Sequence, residues 1–294
     1  MTLLVRSARL VSVALIVGVG LSQIWFRVTD WSLSDMDAYW NAALRLRSGQ
    51  LLFPPLANES AADVYRYSPW FAAAWVPLTM LPKALVAAVW SMILLIASFL
   101  SLWPARGLGW TSLAVMALLG SFLIWAASVG NVQPLMVLGL VWAIRRRSGW
   151  LVIGAAASLK AVPILLAVVY LRRGEWKSFL LCLMAFAILV APFLLVDRSH
   201  YPGSGDSPSP LLATTHPLVW LIVTGAAATA PLIVRGRHAL FASTVAVLVA
   251  LPRISLLDLT YLAVPASTSR SREADDLPYH RDIPEHQRDS VVST

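Results

Sequence analysis

Residues 145–173 read RRRSGWLVIGAAASLKAVPILLAVVYLRR. Two basic clusters, Arg145 to Arg147 and Arg172-Arg173, bound an apolar run in which Lys160 is the sole charge between Gly149 and Tyr170. Loops rich in Arg and Lys stay on the cytoplasmic side of a membrane, so both clusters belong there. A single crossing between them would put one cluster outside. The run is therefore expected to break near Lys160 and Pro163 and return to its own side. Each arm would have about ten residues, or roughly 15 Å of helix. Irregular backbone at membrane depth needs a protein-lined or wet cavity. A lysine at that depth costs ~3 kcal/mol or more, which makes it a functional candidate by default. The bland alternative is a lysine snorkelling from a helix end.

The rest of the chain agrees with a membrane setting. Of 294 residues, 58% are hydrophobic and only 13% are charged. Soluble domains carry about 25% charged residues, so an ordinary soluble protein is excluded. The runs are apolar throughout rather than alternating, which excludes an outer-membrane barrel. A lone cysteine, Cys182, excludes a disulfide scaffold. The net charge of +8 is uneven. From Ser267 to Thr294 four Arg face six acids, a net of −2, leaving +10 for the remainder. Most of that excess is Arg between apolar segments, as cytoplasmic loops require, and does not point to nucleic acid.

Residues 1–266 read as an all-α, polytopic transmembrane bundle of about 8–10 membrane segments. Leu10 to Phe26 follows Arg6 and Arg9 and lacks a small-x-small cleavage site, so an uncleaved helix with a cytoplasmic N-terminus is expected. Residues 27–66 then form the first extracytoplasmic loop. Within it, Asp35 to Gln50 reads as a short helix on the membrane surface. Ser34 is its candidate N-cap, Asp35 and Asp37 lie in the first turn, and Gly49 ends it. Met36, Tyr39, Ala43 and Leu46 form its apolar stripe. Further apolar segments are 70–81, 85–103, 108–127, 132–144, 151–171, 178–196, 211–234, 239–251 and 254–265, several too short to cross at right angles. The polar stretch 267–294 reads as a disordered cytoplasmic tail.

Phosphate-binding glycine loops, HExxH and Cys/His ligand spacing are all absent, so neither a metal nor a cofactor is expected. Asp35 and Asp37 at i, i+2 point to different helix faces, so only one can serve a site as general base. The plain alternative for both is stabilisation of the helix dipole. Arg66 lies where the chain re-enters the membrane. Asn131 and Gln133 occupy a Gly130-Asn-Val-Gln-Pro134 break, where amides bind a sugar or satisfy loose backbone. Arg253 and Asp258 flank and occupy the last apolar run, with a structural ion pair as the plain alternative.

The order of these pieces resembles glycosyltransferase family 87, polyprenol-phosphate-mannose-dependent enzymes of the GT-C superfamily. The resemblance spans roughly residues 8–265. It is carried by Asp35-Met-Asp-Ala-Tyr39-Trp-Asn-Ala-Ala43, then Gly49-Gln-Leu-Leu-Phe53, then Tyr65-Arg-Tyr-Ser-Pro69. The Gly130-Asn-Val-Gln break, Gly154-(x)5-Lys160-x-x-Pro163 and Arg172-Arg173-x-x-Trp176 follow. It implies Asp35, four residues before Tyr39, as catalytic base. It also implies a polyprenyl-phosphate sugar donor, a lipid or glycan acceptor, and inverting transfer at the outer face. Lys160, Arg66 and Arg253 would stabilise the departing phosphate. Asp37, Tyr39, Tyr67, Asn131, Gln133 and Asp258 complete the substrate-binding candidates. Two departures stand out: the chain is short for the family, and Pro252-Arg-Ile-Ser255-Leu-Leu-Asp258 puts an acid where a polar partner is expected. The competing expectation is a non-catalytic polytopic protein, a small carrier or lipid-handling scaffold. Carriers show inverted repeats, and this chain shows none.

Overall fold

The computed structural model describes residues 3–55, 61, 63–107, 110–144, 146, 148–202, 217–234, 237–251 and 255–268. Among them there are twelve α-helices, short 3-10 turns and no strand. Three helical stretches, Leu10–Thr29, Lys83–Ala105 and Trp176–Leu194, are long and apolar enough to cross a membrane. Seven shorter apolar helices of 10–17 residues accompany them. Polarity runs opposite to that of a soluble fold. Leu15, Ile96, Phe99, Leu180, Ile188 and Leu221 face outward, whereas Gln133, Asp258 and Thr260 are buried. In water each exposed apolar Å² would cost about 25 cal/mol; against lipid tails that cost vanishes.

Helix α1 (Leu3–Thr29) lies alongside α5 (Trp110–Ser128), with Gly20 against Ala117 and Arg27 over the ring of Trp125 at 4.1 Å. Helix α2 (Ser34–Arg47) follows the C-terminal end of α1. Its burial is wider than the single expected stripe. Met36, Ala38, Tyr39, Trp40, Ala42 and Ala43 are all buried, so most of its circumference is packed into the bundle. Its start also differs from expectation. Leu33, not Ser34, occupies the cap, in left-handed backbone (φ 52°), and no side chain caps the helix. Carbonyls of the neighbouring helix end take the free N–H groups instead. Ser128 accepts from Ser32 and Leu33, and Val129 accepts from Asp35 at 2.8 Å. Arg47 is the last helical residue, and Gly49 turns the chain at φ 68°.

The decisive stretch breaks where its lysine sits. Helix α6 (Gln133–Ala143) runs away from the break at 129–132, and α7 (Gly149–Leu159) runs back. Lys160 is extended (φ −135°, ψ 112°), and Pro163 opens the 3-10 turn Val162–Ala167, in the first turn where its missing N–H costs nothing. Helix α8 (Val168–Arg172) finishes the return. A Cβ on Gly149 would collide with the Ala143 carbonyl and lie 2.9 Å from the Tyr170 hydroxyl. Residues 143, 149 and 170 therefore share one end of the bundle, opposite Lys160.

Helix α9 (Trp176–Val190) packs on α7, where Gly154 meets Ala185 and the Cys182 carbonyl. Helices α10 (Pro217–Ile233) and α11 (Arg237–Ala250) lead to a 3-10 turn, Leu256–Leu262, and α12 (Ala263–Thr268). Trp25 and Trp176 are exposed, whereas Trp70 turns inward, its Nε1 donating to Ser158 Oγ at 2.9 Å. From 269 onward the expected tail lies outside the described residues.

The reversal predicts sidedness. Single cysteines at Arg146 and Arg172, with Cys182 replaced by alanine, should react with a membrane-impermeant maleimide from the same face. Labelling from opposite faces would contradict the return of the chain at Lys160.

Candidate functional site

One end of the bundle gathers three segments that interrupt helices: the start of α2, the 129–132 break and the turn at Lys160. The start of α2 is fixed by its hydrogen bonds to Ser128 and Val129 and by Gly130. That glycine has φ 76°, and a Cβ on it would lie 2.7 Å from the Met36 Cβ. Only glycine lets α2 come this close. The docking also holds Leu33 in left-handed backbone, a strain on the order of 1–2 kcal/mol for a residue with a Cβ.

This docking brings Asp35 to Asn131, whose Nδ2 donates to the Asp35 carboxylate and to the Tyr67 hydroxyl at 3.3 Å. The Asn131 oxygen accepts from the Gln133 backbone N–H at 2.8 Å, which fixes the amide so that its donor end faces Asp35. Gln133 is fully buried and extends the line. Its Nε2 donates to Thr260 Oγ1 at 3.1 Å, and its oxygen accepts from Lys160 Nζ at 3.0 Å. Lys160 also pairs with Asp258 at 3.1 Å. The second Asp258 oxygen accepts from the Ser255 N–H and hydroxyl, both at 2.9 Å. Eight residues thus form one connected network: Asp35, Tyr67, Asn131, Gln133, Thr260, Lys160, Asp258 and Ser255, with the Gln133 backbone N–H as the link to Asn131.

Asp35 is half-buried, and burial pushes its pKa above the ordinary carboxylate value of 3.8. The Asn131 hydrogen bond and the charges of Lys160 and Arg66 pull in the other direction without cancelling the rise. The arrangement is a carboxylate of enhanced basicity, linked by two amides to a cation. The Lys160 side chain remains 25% exposed while Asp258 is almost wholly enclosed.

Other sequence candidates fall into place around this line. Tyr39 is fully buried beneath it; its hydroxyl accepts from the Val132 N–H at 3.2 Å, and its ring packs edge-on against Tyr67 and Phe71. Arg66 donates to the carbonyls of Val64 and Ala61, and its own carbonyl accepts from the Tyr201 hydroxyl. Asp37 turns away to pair with Lys83 at 2.9 Å in a largely open position, so the structure does not bring it to the line. Arg253 lies outside the described residues. Among the described residues no group of three His, Cys, Asp or Glu side chains could hold a metal ion.

Sequence reasoning missed Ser255 and Thr260 as parts of the site. A signal for Ser255 was present, because Ser255-Leu-Leu-Asp258 has the spacing of a capping box, and both halves of that box form. Thr260 carried no sequence signal, since only the turn of the 3-10 helix brings it to Gln133.

The chain has a distant curated relative. It is the polyprenol-phosphate-mannose-dependent alpha-(1-2)-phosphatidylinositol pentamannoside mannosyltransferase of Mycobacterium tuberculosis (strain CDC 1551 / Oshkosh), 22% identical over 216 residues. The match covers 67% of this chain and 50% of that protein, so the chain spans about half the length of the relative it matches. No family model matches the sequence. No solved structure gives a significant match.

The Lys160–Asp258 pair can be tested by stability. Lys160→Met leaves a buried carboxylate without its cation and should destabilise the protein by about 3 kcal/mol, the low end for a buried pair because the lysine is partly open. Adding Asp258→Asn should restore much of that loss. Chemical denaturation in detergent reads both; equal stability of Lys160→Met and the unaltered protein would show that the pair is not holding the fold.

Proposed function

We propose that this chain is an integral-membrane glycosyltransferase. It moves a sugar, mannose, from a polyprenyl-phosphate donor to a hydroxyl of a lipid or glycan acceptor at the outer membrane face. The observation that carries this reading is the connected line from Asp35 to Lys160. Distant similarity to a polyprenol-phosphate-mannose-dependent mannosyltransferase supports it.

The chemistry asks two things of the protein. Asp35 takes the proton of the acceptor hydroxyl as its oxygen bonds to the anomeric carbon. On the opposite face of the sugar, the bond from that carbon to the phosphate oxygen breaks, and the lipid phosphate leaves with the electron pair. One displacement inverts the anomeric centre and needs no covalent intermediate. Lys160 Nζ spends two N–H groups on Gln133 and Asp258, and its exposed part meets the leaving phosphate. Arg66 adds a second positive charge beside Asp35. Charge held where it develops is commonly the largest catalytic contribution.

Burial serves the base directly. A carboxylate whose pKa is raised binds a proton more strongly, and general-base efficiency improves as that pKa approaches the working pH. The active form is the anion. Activity therefore falls as pH drops through the Asp35 pKa, and this acid limb should lie above the ordinary value of 3.8.

Membranes supplied with radiolabelled polyprenyl-phosphate mannose should transfer label to an endogenous lipid or glycan. Asp35→Asn should lower that transfer by about 10²-fold or more. An unchanged rate would remove Asp35 as base. No transfer by the unaltered protein to any endogenous acceptor would remove the enzymatic reading itself. The pH–rate profile provides the second measurement, with an acid limb at or below 3.8 contradicting the role of burial.

A further inference from the structure

A second concavity lies on another face of α2 from Asp35. It has a volume of about 270 Å³ and is lined by Asn41, Arg45, Phe53, Asp63, Tyr65 and Pro202, among others. Drug-sized ligands occupy pockets of roughly 300–1,000 Å³, so this one suits a smaller guest. Its polar groups converge and are underused. Arg45 holds the Leu52 carbonyl through Nε at 3.3 Å, and the Asn41 amide donates no hydrogen bond among the described residues. Asp63 is exposed and lies close enough for its charge to act on Arg45. Buried aromatic rings line the pocket: Phe53 stacks with Tyr65 at 6.1 Å and 24°, and with Phe193 at 6.0 Å and 3°.

A guanidinium and a carboxylate in one pocket cancel in net charge. This disfavours a phosphate or another anion and favours a neutral ligand rich in both donors and acceptors. Vicinal hydroxyls of a pyranose match that set: they donate to Asp63 and accept from Arg45 and Asn41, above a floor made by the buried Phe53 and Tyr65 rings. The pocket is also next to the reacting centre, because the rings of Tyr65 and Tyr67 are 6.0 Å apart and Tyr67 touches Asn131.

We propose that this pocket holds a non-reacting pyranose of an acceptor that is already glycosylated, so that the acceptor is an oligosaccharide or glycolipid rather than a bare lipid alcohol. The identity of the acceptor rests on the glycosyltransferase reading, but occupation of the pocket by a sugar does not. Binding energy collected there would orient the acceptor hydroxyl towards Asp35 without touching the reacting atoms.

Saturation-transfer NMR of the full chain in nanodiscs, without donor, should detect methyl α-mannopyranoside and an α-linked mannotriose. Asp63→Ala and Asn41→Ala should each weaken that binding by about tenfold or more. Both variants should keep the melting temperature of the unaltered protein, since Asp63 is exposed and Asn41 only partly buried. Asp35→Asn should abolish transfer yet retain saccharide binding. The pocket assignment is overturned by absence of saccharide binding in the unaltered protein or by unchanged binding in the pocket variants. Displacement of the saccharide by inorganic phosphate would also overturn it, because that marks an anion site. Each of those results leaves the transfer assay to stand or fall separately.

Discussion

An ammonium group placed among apolar helices must find acceptors or lose its charge. Lys160 finds them in Gln133 and Asp258, and much of this end of the bundle follows from that requirement. Gln133 must open a helix so that its side chain is free to reach inward. Asp258 must be fixed by its own turn, which the reciprocal bonds with Ser255 accomplish. The chain must also leave the α-helix at Lys160, because a continuous helix would carry it onward instead of back to the end it came from. A buried pair of this kind adds little net stability relative to an apolar alternative. Its value lies in defining one arrangement of three chain segments at a depth where misplaced polar groups are costly.

The distance between base and cation is as informative as their presence. A carboxylate paired directly with a lysine is stabilised as the anion and becomes a poor base. Here Asn131 and Gln133 stand between Asp35 and Lys160, each with its amide orientation dictated by a partner that can only donate. Asp35 keeps a raised pKa while its position is tied to that of the cation. Asp258 meanwhile occupies part of the lysine's field. The two opposing groups are held in one network without neutralising each other.

Several of these features were legible because charge in an apolar run is rare enough to be read singly. Lys160 stood out as the only charge across 149–170, and the two flanking Arg clusters demanded a return of the chain, which the packing of Tyr170 against Gly149 provides. What remained hidden depended on partners distant in sequence. Ser34 looked like a cap, but the first N–H groups of α2 go to carbonyls about 95 residues away, so no side-chain cap was required. Asp35 and Asp37 could be assigned to different faces by helical geometry. That Asp37 faces Lys83 and Asp35 faces Asn131 depended on how the helix docks. The breadth of α2 burial was not legible because its small residues, Ala38, Ala42 and Ala43, count weakly as apolar in a sequence yet permit close burial on several sides.

The role of Asp258 can be argued one step further on the proposed reading. A polyprenyl phosphate sugar arrives as a monoanion, and the lipid phosphate leaves with an additional negative charge. A lone buried lysine would bind that product most tightly of all, and turnover would stall on release. Asp258 offsets this by competing for Lys160 at 3.1 Å, and the lysine keeps only part of its donor capacity for the phosphate. The acid at this position, which looks anomalous in sequence, thereby favours release of the product. The same carboxylate keeps the lysine in place when the site is empty, since Asp258 is itself anchored by Ser255 and cannot follow the phosphate out.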